Sequence, residues 1–219
     1  MKSTRAQLLA EFIGSMFLVT AVVSSVIFFS EVVESSANIV ILANAIAVTF
    51  VLAALIEVFG PVSGAHFNPI VTVVMLIDGK IGLAKAKLFI MFQVMGGIAG
   101  AVLSHLMFYE EMNGLFFVSE TVRSGYSYIG EIAGTFILVL AILLLVKTKS
   151  TKTSIIVGML VGGMLISTSS TMFANPQVTI ARMFTSSAAG IRPIDGLIFI
   201  AMQFIGGLLA YGVYKNLSS

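Results

Sequence analysis

The 219 residues are 58% hydrophobic and only 10% charged, which leaves too little polar material to cover a soluble domain of that length. The net charge of +2 comes without a basic tract or nucleic-acid motif, so no nucleic-acid partner is expected. Cysteine is absent, which excludes disulfides, thiolate metal sites and cysteine nucleophiles and leaves the compartment undecided. The composition predicts an integral membrane protein whose surroundings are the lipid bilayer, a single membrane domain over residues 1–219.

Lys2 and Arg5 precede an apolar run from about Leu8 to Phe29, longer than the apolar core of a signal peptide, so a retained first span is expected. Glu31 and Glu34 close it. A second run goes from about Ile39 to Phe59 and is expected to break at Gly60-Pro61. Then comes Ser63-Gly64-Ala65-His66-Phe67-Asn68-Pro69-Ile70-Val71-Thr72. Asn is favoured at a helix N-cap and Pro at the first helical position, so Asn68-Pro69 reads as a helix start. Its apolar part ends at Asp78-Gly79-Lys80 after about ten residues, half the ~20 needed to cross a bilayer. Such a segment enters and turns back.

A third span is expected from about Ile81 to Phe108, followed by a polar interval from Tyr109 to Tyr126. A fourth covers about Ser127 to Val146, a fifth about Ser154 to Ile166, and a sixth about Ile194 to Tyr214. Between the last two lies a second short start, Phe173-Ala174-Asn175-Pro176-Gln177-Val178-Thr179. With a cytoplasmic N-terminus, Lys2, Arg5, Lys80, Lys85, Lys87, Lys147, Lys149, Lys152 and Lys215 all fall inside, nine of the twelve Lys and Arg. Both termini are therefore placed in the cytoplasm.

An internal repeat is visible. Glu11-Phe12-Ile13-Gly14 recurs as Glu131-Ile132-Ala133-Gly134, and Gln93-Val94-Met95-Gly96-Gly97 as Gln203-Phe204-Ile205-Gly206-Gly207. The Asn-Pro segments form the third matching pair. Repeats of about 5–108 and 127–215 hold three spans each, an odd number, so the second inserts upside down relative to the first. The half-helices then enter from opposite faces, and their positive N-terminal ends meet near the midplane. The fold class is an all-α membrane protein of six transmembrane helices and two re-entrant half-helices, with the glycine pairs allowing close helix approach.

These features identify the chain as similar to the aquaporin, or major intrinsic protein, superfamily, on the two Glu-x-x-Gly starts, Ser63 to Pro69, and Asn175-Pro176. The resemblance covers nearly the whole length. It implies a passive channel with one pore per subunit, a homotetramer in the cell membrane, no cofactor and no enzymatic activity. No nucleophile–base set or metal cluster is visible in the sequence. Asn68 and Asn175 are expected to cap their helices through the backbone and to turn their amides into the pore; the other reading is that each is only an N-cap. Glu11, Glu57 and Glu131 lie at membrane depth. They are read either as braces accepting from unpaired loop N–H groups or as sites of proton coupling in a secondary transporter of a small solute. The symmetry of Glu11 and Glu131, and the family's use of the matching residues, favour the brace. His66 resembles the family's cytoplasmic vestibule histidine, and His105 reads as a packed or end-of-helix residue.

The departures from the family pattern bear on the solute. Ile70 and Gln177 replace the usual third-position Ala of each motif. The family's filter Arg is normally three residues after the second Asn, where Val178 stands, as in some prokaryotic members associated with arsenic detoxification. Arg182 shares a helix face with Val178 and lies about 6 Å further out. It either marks the outer vestibule or is buried against a loop carbonyl or Asp195. Counting back from the Asn-Pro pairs puts the remaining filter positions at Val48, near Gly163 and at Met172. That set predicts a wide, apolar constriction passing water and small neutral solutes such as glycerol, urea, ammonia or arsenite-like metalloid hydroxides.

Overall fold

The computed structural model describes residues 3–218, so Lys2, one of the nine basic residues expected on the inner side, lies outside the described residues. Regular structure is helical throughout: α1 Thr4–Ile27, α2 Ala37–Ser63, α3 Pro69–Ile77, α4 Leu83–Met107, α5 Tyr109–Met112, α6 Ser127–Lys147, α7 Thr153–Ser167, α8 Pro176–Arg182 and α9 Pro193–Leu217. α1 continues into a π-helical turn, Phe28–Val32. Five of these are long and apolar enough to cross a membrane; α7, with 15 residues, is the sixth and shortest membrane helix. At 1.5 Å per residue it spans roughly 22 Å, short of a ~30 Å hydrocarbon layer.

The expected break at Gly60-Pro61 is not there. α2 runs through Pro61 and ends only at Gly64, which takes the left-handed conformation (φ 96°) and donates its N–H to Gly60 O. Proline removes one N–H and crowds one carbonyl, a penalty that falls here in the final turn, where few bonds remain to be lost. The extra turn carries Ser63 to Glu11, whose Oε1 accepts from the Ser63 hydroxyl at 2.6 Å.

α1 packs on α4, α6 on α9 and α2 on α7. These contacts are close because glycine lies at the crossings. A Cβ placed on Gly96 would stand 2.3 Å from Phe12 O, one on Gly100 2.2 Å from Met16 O, and one on Gly206 2.5 Å from Ile132 O. Where lipid tails are as apolar as the side chains, such close packing is what draws helices together. Polar ties supplement it: Asn44 Nδ2 on α2 donates to Val22 O on α1 at 2.7 Å.

Residues 113–126 fold back over one end of the bundle. Ser119 N–H donates to Met183 O, Arg192 N–H to Thr121 O, and Arg123 N–H to Asp195 Oδ2, each at 2.8 Å. The polar interval of the sequence is thus tied down.

Alanine at Gly96 must displace backbone, an overpacking that costs about 1–3 kcal/mol. A Cβ on Gly212 would meet nothing within 4 Å, so alanine there is tolerated. Thermal unfolding of the two purified variants in detergent is expected to show a clear loss for Gly96→Ala and none for Gly212→Ala.

Candidate functional site

The N-termini of α3 and α8 meet inside the bundle, and the same set of bonds builds each junction. Glu11 Oε1 accepts from His66 N–H (3.0 Å) and Oε2 from Phe67 N–H (2.8 Å) and Gln93 Nε2 (2.7 Å). In the second half Glu131 accepts from Phe173 N–H (2.8 Å), Ala174 N–H (2.9 Å) and Gln203 Nε2 (2.6 Å). Both carboxylates are fully buried. Each glutamine makes a second bond, Gln93 to Thr72 Oγ1 at 3.0 Å and Gln203 to Thr179 Oγ1 at 2.8 Å. Both threonines back-bond to the N-cap carbonyl of their own helix, Asn68 O and Asn175 O, at 3.0 Å.

Each asparagine caps with its side chain, where a backbone cap was expected. Asn68 Oδ1 accepts from Ile70 N–H at 3.0 Å and Asn175 Oδ1 from Gln177 N–H at 3.2 Å. The Nδ2 groups cross over: Asn68 donates to Ala174 O at 2.9 Å and Asn175 to Phe67 O at 2.8 Å. Phe67 and Ala174 both hold φ of 46°, a left-handed backbone that these residues rarely adopt and that the surrounding bonds enforce. An amide nitrogen carries two donors, so each asparagine keeps one N–H after clamping the opposite loop.

A cavity of about 370 Å³ follows this junction through the bundle, from Lys80 and Lys85 at one end, past Asn68 and Asn175, to Thr171 and Arg182 at the other. Its wall is mostly aliphatic. Val48, Leu165, Met172 and Val178 line the Arg182 half, and Val71, Leu138 and Ile142 belong to the same wall. His66 lines it too, with Nδ1 at 3.0 Å from Thr72 Oγ1 and its ring edge-on to Phe89. Glu11 and Glu131 are outside the lining, their oxygens turned to the loops.

Arg182 is buried against a loop carbonyl and also faces the cavity. Its Nε donates to Ala189 O, and its guanidinium carbon lies 3.4 Å from the centre of the Phe173 ring. Asp195 is engaged elsewhere, by Arg192 Nε (2.7 Å) and Nη2 (3.1 Å) and by Arg123 N–H. Burial draws the half-buried Arg123 guanidinium below its ordinary pKa, with the Glu131 charge opposing; an arginine nonetheless stays charged at physiological pH.

Residues 1–173 match the family model for the major intrinsic proteins. Aquaglyceroporin AqpS of Rhizobium meliloti (strain 1021) is 35% identical over 94% of this chain and 87% of its own length. This chain belongs to the major intrinsic protein family. Its members are membrane channels and not enzymes. Aquaporin-4 of Homo sapiens is 27% identical over 75% of this chain and 52% of its own. The X-ray structure of the aquaglyceroporin from Plasmodium falciparum shares the fold, with a TM-score of 0.75 over 97% of this chain and 96% of that one at 18% identity.

Within this family frame six of the expected site residues lie elsewhere than the sequence placed them. Gly163 is exposed on the outer side of α7, and the cavity face of that helix is instead Val157, Val161 and Leu165, spaced four residues apart. Glu57 is exposed and accepts from Ser154 Oγ on α7, so it braces two helices and no loop. Ile70, Gln177, Pro69 and Pro176 are buried behind the cavity wall. Ile70 packs on Gly207 and Gln177 on Gly97, where a Cβ would fall 2.4 Å and 2.1 Å from their side chains. Gln177 Nε2 also reaches Phe67 O at 3.2 Å. His105 is packed, with Nδ1 donating to Leu115 O and Nε2 beside Thr185 Oγ1.

Gln93, Gln203, Thr72 and Thr179 were not singled out from sequence as site residues. Their signal was present: a threonine four residues after each Asn, and a glutamine in each Gln-x-x-Gly-Gly repeat.

Removing a charged acceptor from these junctions leaves buried N–H groups imperfectly paired, at about 1–3 kcal/mol each. Glu11→Gln and Glu131→Gln are expected to lower Tm by several degrees, and Glu57→Gln to leave it within error, in the same detergent assay.

Proposed function

We propose that this chain is a passive transmembrane channel for water and small neutral solutes, among them glycerol, urea, ammonia and metalloid hydroxides. The observation that carries the reading is the pair of asparagine amides, Asn68 and Asn175, clamped to opposite loops in the middle of a mostly aliphatic cavity. A solute oxygen arriving there meets one remaining N–H from each side. Two helix N-termini aimed at the same point oppose cations, and a water that accepts from two donors does not readily relay a proton. The two halves insert as inverted repeats of about 5–108 and 127–215, with both termini cytoplasmic, and four subunits assemble in the plasma membrane, each with its own pore.

Val48, Leu165, Met172 and Val178 form the selectivity constriction in this reading, with Leu165 standing where Gly163 was expected. His66 lines the cytoplasmic vestibule and Arg182 the outer one. The aliphatic ring offers a water molecule no hydrogen bond, so a water-only filter is not expected. The likeness to an aquaglyceroporin over most of both chains supports a solute of glycerol size. Glu11 and Glu131 act as braces: their oxygens are turned to the loop N–H groups and lie outside the cavity lining, so neither carboxyl stands in the path as a coupling site would.

In proteoliposomes, Asn175→Leu is expected to reduce glycerol and water flux by about tenfold, the scale of one lost hydrogen bond at a desolvated point, while the folded oligomer persists. Loss of assembly with no separable effect on flux would reduce the asparagines to helix caps.

Val178→Arg is expected to lower the glycerol-to-water flux ratio by roughly tenfold, because a guanidinium narrows the ring and supplies donors that hold water. If Arg182 sets the ratio instead, Arg182→Ala changes it and a well-folded Val178→Arg does not.

A further inference from the structure

Arg182 has an unmet edge. Its residue is only 6% exposed, and the exposed part belongs to the cavity lining. Stacking on Phe173 at 3.4 Å fixes the plane of the guanidinium, and the bond from Nε to Ala189 O fixes its rotation within that plane. Among the described residues no acceptor meets Nη1 or Nη2, and neither nitrogen is among the fully enclosed unpaired atoms. Their N–H groups therefore point into open cavity.

The surroundings do not neutralise this charge. Arg123 is stacked near the same ring, with its guanidinium carbon 5.1 Å from the Phe173 centre. Its own donors are taken by Gly190 O (2.9 Å), Ala188 O (3.1 Å) and Thr171 Oγ1 (3.4 Å). The carboxylate whose field reaches both arginines is Glu131, and it accepts from Phe173, Ala174 and Gln203. Asp195 is paired with Arg192. Two guanidiniums thus face one carboxylate, and the excess positive charge sits where the open N–H edge is. A desolvated cation lacking a partner is costly, and an anion that enters relieves it.

The geometry points to a subsite for a small planar oxyanion, a carboxylate such as formate or acetate, held in a fork by Arg182 at the outer end of the cavity. The open Nη1–Nη2 edge matches the spacing of two carboxylate oxygens in one plane, the arrangement that distinguishes arginine from lysine. A bound carboxylate goes no further inward, because Val48, Leu165, Met172 and Val178 offer it no donor in exchange for its water. It therefore stands in the path and reduces passage of neutral solutes. The blocking half of this inference rests on the channel reading above; the binding half does not.

The test uses purified protein in detergent at neutral pH, with sodium formate against sodium chloride at equal ionic strength and with neutral formamide as a shape control. Formate at about ten times its dissociation constant is expected to raise Tm by roughly 3 °C, as linkage predicts for a chain of this size. Chloride and formamide are expected to give much less. Arg182→Gln should abolish the formate shift, and Arg182→Lys, which keeps the charge and loses the fork, should lose most of it. In proteoliposomes, external formate is expected to reduce glycerol flux several-fold in the wild type. Equal shifts with formate, chloride and formamide, or a formate shift that survives in Arg182→Gln or is undiminished in Arg182→Lys, overturn the subsite. A formate shift in a protein that passes no neutral solute keeps the subsite and sinks the channel reading; glycerol flux indifferent to formate does the reverse for the blocking role.

Discussion

A broken helix inside a membrane has to satisfy its own backbone. Four N–H groups at each helix start lack partners, and the bilayer interior has no water to supply them. The chain meets this demand with two buried carboxylates. Glu11 and Glu131 each accept from successive loop N–H groups and from a glutamine on the last helix of their half. Without them the segments before Asn68 and Asn175 would not hold left-handed backbone at Phe67 and Ala174. The carbonyls of those two residues would then not be in place to receive the opposite asparagine. The cavity depends on that order of events: carboxylate, loop, carbonyl, amide.

The halves are alike in this scaffold and unlike in what they pack behind it. The residue after each Asn-Pro pair lodges against a glycine of the other half's final helix, Ile70 on Gly207 and Gln177 on Gly97. Glycine there makes room for a side chain larger than the family's alanine, so the departure and its accommodation lie together in the fold. The two substitutions differ in consequence. Ile70 only fills space, whereas Gln177 adds a second donor to Phe67 O, which already accepts from Asn175. A carbonyl oxygen has two lone pairs, so Phe67 O is saturated while Ala174 O retains one acceptor site. The midpoint is thus asymmetric in what it presents, although the backbone around it repeats.

Much of this was legible in the sequence because it depends on run length and repetition. Apolar runs near twenty residues, two Asn-Pro pairs and two Glu-x-x-Gly starts fix the number, order and pairing of elements without reference to rotation. Most of the errors share a cause: they concern which way a side chain turns. Counting back across a loop leads to Gly163, and a displacement of two residues carries a position to the far side of a helix, where Leu165 replaces it. Glu57 has the depth of a brace and points outward to Ser154. The asparagines bear the expected role at the helix start, but the choice between side-chain and backbone capping lies in loop geometry that no spacing reveals. Gly60-Pro61 looks like a break because proline penalties are averaged over helix interiors, and this one sits in a last turn.

The charges of the cavity suggest how selection is distributed along it. Lys80 and Lys85 lie at one end, the two half-helix N-termini meet in the middle, and Arg182 stands at the other end. On the proposed reading a cation meets positive potential at every stage, so no single residue has to exclude it. Anions are treated differently. On the same reading they are attracted at both mouths and stopped by the aliphatic side chains of Val48, Leu165, Met172 and Val178, where dehydration finds no compensating donor. Neutral solutes alone avoid both penalties. On this reading, an apolar ring with donors displaced to either side of it separates charged from uncharged solutes without needing a guanidinium in the ring, where Val178 lines the cavity.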